Sequence, residues 1–201
     1  MDVIWFRPPA GDTGTLNACY NAVDIHVIRG RAEQVALLDG ERPVTFARLL
    51  TEVGAFAGVL QAFGVGLGDE VVVLDLPPLE DTLAQLACAR VGAVLFREPS
   101  AAPALAVVGT AGGHVFGAVP LITVDDTGEL DWATAMRAGR TDPAGCAEVP
   151  GDGLLRVIDG VAVETAAHLA AVVADQVVDP IFTPLVGGRP VHLTGAAGGQ
   201  G

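Results

Sequence analysis

The side chains of this sequence that could do chemistry are few and widely separated. The four histidines, His26, His114, His168 and His192, show neither His-x-His nor His-Glu-x-x-His spacing, so the pattern predicts packed or surface histidines rather than a metal site. The single serine, Ser100, does not lie in a Gly-x-Ser-x-Gly context, which excludes a serine-hydrolase nucleophile elbow. Spacing alone therefore assigns no catalytic residue and no metal ligand.

Cysteines and glycines give equally weak signals. Cys19, Cys88 and Cys146 are an odd number and form no Cys-x-x-Cys motif, which is typical of a reducing cytoplasm rather than of a disulfide framework. Residues 109–113 are rich in glycine and follow an apolar run. A dinucleotide-binding loop needs a helix directly afterwards, whereas residues 115–124 predict a turn and a strand. We therefore expect no bound cofactor.

The elements that must position any site alternate between strands and helices. Apolar runs predict strands at 35–38, 70–74, 93–96, 105–108, 121–124, 154–158 and 190–193, and helical periodicity predicts helices at 16–28, 45–63, 79–91, 130–138 and 163–178. This alternation predicts one layered α/β domain with a mainly parallel sheet of about five to eight strands and helices on both faces. We expect the domain to cover residues 15–194, between an irregular N-terminal arm at 1–14 and a flexible, Gly/Ala-rich tail at 195–201.

Three stretches, in order along the chain, resemble one known family. Trp5-Phe6 followed by residues 16–27 (LNACYNAVDIHV) is similar to W-F…L-N-x-x-Y-N-x-x-D-R-H, with isoleucine in place of the arginine. Residues 45–72 are similar to Y-x-E-L…L-G-V-x-K-G-D-x-V, with leucine in place of the lysine. Residues 86–94 (LACARVGAV) are similar to A-C-x-R-x-G-A. Together they resemble the N-terminal part of the AMP-forming acetyl- and propionyl-CoA synthetases, so the resemblance implies a trimmed N-terminal subdomain of an adenylate-forming fold.

The chain departs from this family where ATP phosphates should be held. Residues 153–160 resemble the strand that leads into the family's phosphate loop, but the expected [ST]-S-G-[ST]-T-G-x-P-K-G does not follow. Residues 161–168, similar to the helix after the loop, come almost directly instead. The sequence contains no lysine, and no counterpart of the family's Y-G-x-T-E segment or of its C-terminal catalytic domain. The resemblance therefore predicts an eroded phosphate-loop region at Arg156, Asp159 and Gly160, in which Arg156 is the candidate for any remaining phosphate contact.

Charge restricts the partners of the chain. With 24 acidic against 11 basic residues the net charge is −13, which opposes binding to nucleic acid or to an anionic membrane, and only scattered arginines are available for a local positive site. Our leading hypothesis is a truncated, non-catalytic, cytoplasmic acyl-CoA-synthetase-like protein that associates with itself or with a partner enzyme. Three alternatives stay open: a half-synthetase completed in trans by another chain, a binder of a small acyl or CoA-like ligand without turnover, and non-functional decay.

Overall fold

The computed structural model describes residues 2–10, 13–110, 116–125 and 128–193, and in these ranges strands alternate with helices. The strands are β1 (Trp5–Ala10), β2 (Thr13–Leu16), β3 (Val35–Asp39), β4 (Arg42–Thr45), β5 (Glu70–Leu74), β6 (Val94–Phe96), β7 (Leu105–Val108), β8 (Leu121–Thr123), β9 (Leu130–Asp131), β10 (Val149–Pro150), β11 (Leu154–Ile158), β12 (Val161–Glu164) and β13 (Val191–Leu193). The helices are α1 (Ile25–Ile28), α2 (Phe46–Ala62), α3 (Pro78–Val91), α4 (Trp132–Gly139), α5 (Thr165–Val173) and α6 (Phe182–Val186), with a π-helical turn (Tyr20–Asp24) directly before α1. The predicted tail at 195–201 and the glycine-rich residues 111–113 lie outside the described residues.

The centre of the fold is a seven-stranded sheet in the order β12-β11-β6-β5-β7-β8-β9. Every neighbouring pair is parallel except β11 with β12. Val71, Val72 and Val73 in the central strand β5 are fully buried, as expected for a parallel sheet that is covered on both faces. The structure thus confirms the predicted α/β class, with a mainly parallel sheet flanked by helices.

Local signals in the sequence set the ends of the two long helices. α2 begins at Phe46, because Thr45 is extended and its Oγ1 accepts the N–H of Arg48 at 3.3 Å. α3 begins at Pro78, which tolerates the first turn, and is followed by Gly92 with a φ of 77°. A Cβ at this glycine would lie 2.7 Å from a leucine side chain. The position therefore requires glycine both because its φ is positive and because there is no room for a side chain. None of the helices in the described ranges is both long enough and apolar enough to cross a bilayer.

Two three-stranded sheets flank the main one, in the orders β1-β2-β10 and β13-β3-β4. The irregular conformation expected for residues 1–14 is therefore wrong for residues 5–10, 13 and 14, because β1 and β2 pair antiparallel. The helix predicted at 16–28 begins too early for the same reason, since Leu16 is the last residue of β2. Pro8 and Pro9 are tolerated there because β1 is an edge strand and because its pairing with β2 shifts register between Arg7 and Ala10, where the two prolines lie. Two register shifts interrupt this pairing.

Two predicted helices have different bounds in the structure. The helix predicted at 163–178 is wrong at both ends, because residues 161–164 form β12 and α5 ends at Val173, shortly before Asp175 takes a left-handed φ of 57°. The helix predicted at 130–138 begins two residues later. Asp131 is its N-cap and accepts the N–H of Thr134 at 2.8 Å.

Candidate functional site

The position expected for a phosphate loop is occupied by a β-hairpin. β11 turns into β12 through Asp159 and Gly160 alone, and Ile158 pairs with Val161 across the turn. Asp159 has a φ of 51° and Gly160 a φ of 71°. Two central residues with positive φ define the type I′ turn, for which Asp-Gly is a favoured sequence. The backbone here closes tightly on itself and forms no open glycine-rich cradle.

The turn also presents the wrong charge to a phosphate. The N–H of Gly160 donates to Oε1 of Glu98 at 2.9 Å, so a carboxylate already occupies this amide. Asp159 and Glu164 are both exposed on the hairpin. A phosphate-binding turn needs free, converging amides and nearby positive charge. The hairpin places carboxylates where those groups would have to be.

Arg156, the candidate for phosphate contact, is held in an internal ion pair. Its guanidinium NH2 lies 2.6 Å from Oδ2 of Asp179, and the two side chains are only 14% and 1% exposed. His168 is the third member, with its Nε2 3.4 Å from the same carboxylate oxygen and 3.5 Å from Arg156 NH2. We call Arg156, His168 and Asp179 the buried charge cluster. The charge of Arg156 is therefore directed into the protein and is already neutralised by a carboxylate.

Asp179 also anchors the start of α6. Its Oδ1 accepts the N–H groups of Ile181 at 2.8 Å and of Phe182 at 2.6 Å. Burial alone would raise the pKa of this carboxyl, but the contact with His168, the two backbone N–H donors and the Arg156 charge outweigh it and hold the pKa below its usual range. Asp179 therefore stays ionised and serves both an ion pair and a helix terminus.

The carboxylate–imidazole pair in this cluster resembles part of a hydrolase triad, but it is buried and lacks a nucleophile. His168 and Asp179 are both buried, and among the described residues no hydroxyl or thiol bonds His168 to complete a nucleophile–base pair. Sequence reasoning missed Asp179 and the role of His168. The available signal was an acidic residue two positions before the apolar Ile181-Phe182, which is the spacing of a helix-capping aspartate.

The residues that carry the family resemblance converge in a second polar cluster. Asn17 and Asp24 belong to the first motif and Arg90 to the third. Asn17 Nδ2 donates to the carbonyl oxygens of Arg90 at 2.9 Å and of Ala147 at 3.0 Å. Arg90 NH1 lies 2.8 Å from Oδ2 of Asp24, and its Nε donates to the Ala144 carbonyl at 2.7 Å. We call Asn17, Asp24 and Arg90 the motif cluster; its contacts tie the N-terminal segment, α3 and residues 144–147 together.

Two thiols adjoin the motif cluster. Ligand atoms of Cys19, Asp24 and Cys146 all lie within 4.8 Å of one another, a proximity that their sequence separation did not predict. The guanidinium of Arg90 already occupies this group, with NH1 3.7 Å from Cys19 Sγ and 2.8 Å from Asp24. A hydrogen bond with Cys19 and burial both raise the pKa of Cys146. The guanidinium of Arg90 is thus the cation that contacts both Cys19 and Asp24 in this structure.

Comparison with known proteins identifies the N-terminal part of the chain. Residues 26–98 match the family model described as AMP-binding enzyme. Acetyl-coenzyme A synthetase of Burkholderia thailandensis is 43% identical over 94 residues, which cover 44% of this chain and 14% of that protein. The synthetase of Rhodopirellula baltica is 41% identical over 92 residues (40% and 14%), and that of Burkholderia mallei is 44% identical over 94 residues (44% and 14%).

These matches confirm the resemblance read from the motifs. The chain carries an AMP-forming acyl-CoA synthetase-like fragment in its N-terminal part. It spans only about a seventh of the length of the curated relatives it matches. The matched residues include α2, β5, α3 and β6 but end before the hairpin of β11 and β12.

Proposed function

We propose that this acyl-CoA synthetase-like fragment does not form acyl-adenylates and acts instead by binding, through association with a second copy of itself. The observation that carries the first half is the two-residue turn at Asp159 and Gly160 in the position of a phosphate loop. Adenylate formation needs aligned reactants and positive groups that stabilise the charge developing on the transferred phosphoryl group. At this turn the backbone amide of Gly160 is bonded to Glu98, and Arg156 is bonded to Asp179.

A direct test of this half uses MgATP. We expect calorimetric titration of the whole chain with MgATP to give no binding heat at micromolar to low millimolar concentration, and we expect no ATP–pyrophosphate exchange with acetate or propionate. A charge of −13 opposes a polyanionic ligand still further. Exchange that depends on either carboxylate would overturn the proposal.

The association half rests on the free edge of β12. This strand is last in the seven-stranded sheet, and no described strand pairs with its outer side. Natural edge strands are usually protected by lysine, proline or bulges. The sequence of β12, Val161-Ala162-Val163-Glu164, has one charge and neither lysine nor proline. Val161 is 63% exposed, and its cross-strand neighbour Ile158 is 36% exposed. The one register shift in this pairing adds a residue to β11, between Leu154 and Arg156, so β12 itself presents a largely apolar edge.

A second copy fits this edge better than an unrelated strand because β12 is complementary to itself. In an antiparallel pair centred on Val163, Glu164 lies opposite the partner's Ala162, so the two carboxylates do not face each other. A two-fold axis at this position continues the sheet across both copies and closes the assembly at a dimer. The cytoplasm is the compartment we propose for it, because Cys19, Cys88 and Cys146 are all free thiols in the structure.

Light scattering during gel filtration tests the dimer. We expect the wild-type mass to rise from monomer towards dimer across a concentration series. Val161→Lys places a charge on the edge and should keep the chain monomeric. The matched control is Val178→Lys, which changes an 85% exposed valine outside the hairpin and should leave the dimer intact. A wild-type monomer at every concentration, or a dimer that survives Val161→Lys, would refute the edge as the interface.

A further inference from the structure

A cavity of about 380 Å³ lies where α2, α4, β4 and the start of α3 meet. Part of its wall is apolar and includes Trp132 and Met136 of α4, both of which are buried. The polar part of the wall includes four arginines, Arg42, Arg48, Arg137 and Arg140. The sequence suggested only scattered arginines, but the fold gathers four of the eleven at this one cavity. The reason is local geometry: Arg137 lies in the last turn of α4, and Arg140 directly follows the helix with helical backbone angles, so the two share a face that α2 and β4 approach.

The charges at the cavity do not cancel. Glu52 of α2 is the carboxylate that binds two of the arginines, with Oε1 2.5 Å from Arg48 NH2 and Oε2 2.6 Å from Arg140 NH2. This trio keeps one net positive charge. Arg42 and Arg137 are exposed and form no ion pair with any residue in the described ranges. Glu80 is the other carboxylate in the wall, so four positive charges meet two negative ones in a chain whose overall charge is −13.

Glu80 is the less favourable of the two carboxylates to ionise. Burial raises the pKa of Glu80, and the negative charge of Asp39 raises it further. An anion bound beside Glu80 would raise this pKa in the same direction.

We propose that this cavity is a binding site for a small amphiphilic anion, with one carboxylate or phosphate head group held by Arg42 and Arg137 and an apolar body packed on Trp132 and Met136. Guanidinium groups bind planar carboxylates and phosphates through paired hydrogen bonds, and two unpaired guanidinium groups at one cavity mouth favour such a head group. The volume is at the lower end of the range of about 300–1,000 Å³ for ligand pockets, which fits a compact body rather than a dinucleotide. The hairpin of residues 154–164 does not line this cavity, so the site is independent of the proposed function.

Trp132 offers a direct readout, because it is one of only two tryptophans and lies in the cavity wall. The tryptophan fluorescence of the whole chain is titrated with octanoate, octyl phosphate, octanol, acetate and inorganic phosphate, all below micelle-forming concentrations. We expect a saturable change with octanoate and octyl phosphate, and the tighter of the two identifies the preferred head group. Octanol has the apolar body but no charged head group, and acetate and inorganic phosphate have the head group but no apolar body. Each of these three should bind at least about tenfold more weakly than octanoate or octyl phosphate.

Variants identify the residues responsible. Arg42→Gln and Arg137→Gln lie on different elements, and both side chains are exposed, so each variant should fold, as circular dichroism checks. Each should weaken octanoate or octyl phosphate binding by about tenfold or more, the loss expected for a charge-assisted hydrogen bond. The matched control, Arg29→Gln, makes the same charge change at an exposed arginine outside the cavity and should leave binding unchanged. Equal binding of octanol and octanoate, or an equal loss in Arg29→Gln, would overturn the proposal.

Discussion

Replacing Asp179 by asparagine should destabilise the protein strongly, and it should not change the absence of MgATP binding that we expect for the wild type. The substitution keeps an oxygen that can accept the N–H groups of Ile181 and Phe182, but it removes the charge opposite Arg156. Because both side chains of the ion pair are largely buried, a lone guanidinium would remain away from water. Breaking such a pair costs about 3–5 kcal/mol. Asp179→Ala should cost about 1 kcal/mol more, because it also removes the helix cap.

This loss is large against the usual stability of a domain, about 5–15 kcal/mol. With a urea dependence of about 2 kcal/mol per molar, Asp179→Asn should lower the unfolding midpoint by about 2 M. Urea unfolding followed by far-UV circular dichroism at pH 7 measures it. The pKa of Asp179 is held below its ordinary value of 3.8, so its contribution is fully present above that pH and is lost as the pH falls through the folded value.

An exposed ion pair serves as a control that shows how much of the stability loss comes from burial of the pair rather than from loss of a charge. Arg7 and Glu148 lie 2.8 Å apart, but their side chains are 72% and 48% exposed. Glu148→Gln should therefore cost at most about 1 kcal/mol. In a double-mutant cycle with Arg156→Met, the double variant should be more stable than the sum of the single losses predicts. If Asp179→Asn costs no more than Glu148→Gln, or if Arg156→Met leaves stability unchanged but abolishes MgATP binding, the structural role of Arg156 is refuted.

Three further outcomes test the packing, the pH response and the helix caps. Gly139→Ala should destabilise the chain, because its Cβ would lie 2.1 Å from the carbonyl oxygen of Ala55 where α4 crosses α2, whereas Gly145→Ala meets open space and should be neutral in the same urea assay. Burial lowers the pKa of His26 from its ordinary 6.5, so stability should fall as the pH drops below that value and unfolding takes up a proton. Melting temperatures at pH 7.5 and 5.5 should differ less for His26→Gln than for the wild type; an equal difference would contradict the assignment. Asp131→Ala should lower the urea midpoint by weakening the first turn of α4, and an unchanged midpoint would show that its capping bond is not formed in solution.

The buried central strands were predictable because runs of apolar residues indicate them directly. A run such as Val71–Val73 has no polar residue to place in water, so it indicates a covered central strand whatever its neighbours are. The edge strands β1 and β12 were missed because their pairing partners and turns determine them, whereas the edge strand β13 was predicted from its apolar run. The N-terminal strand contains Pro8 and Pro9, which argue against a strand everywhere except at an edge. For β12 a local signal did exist, since Asp159-Gly160 is a favoured hairpin turn, but helical periodicity in the following residues concealed it.

The contacts of the candidate site residues could not be predicted from the sequence. The motif resemblance directed attention to Arg156, which lies in β11, the first strand of the hairpin. Its partner Asp179 lies 23 residues further along the chain and meets it only after α5 has folded back, which no local pattern encodes. The same holds for the arginine cavity: Arg42 and Arg137 come from elements that only tertiary packing brings together.

The motif cluster separates what makes this chain recognisable from what would make it active. The side chains of the motif cluster, Asn17, Asp24 and Arg90, bond to one another's segments and to the backbone of residues 144–147. Substituting any of them should therefore destabilise the fold. The need to fold would therefore retain these three residues whatever the chain binds or catalyses. Similarity at such positions is evidence of a shared scaffold and says nothing about a shared activity.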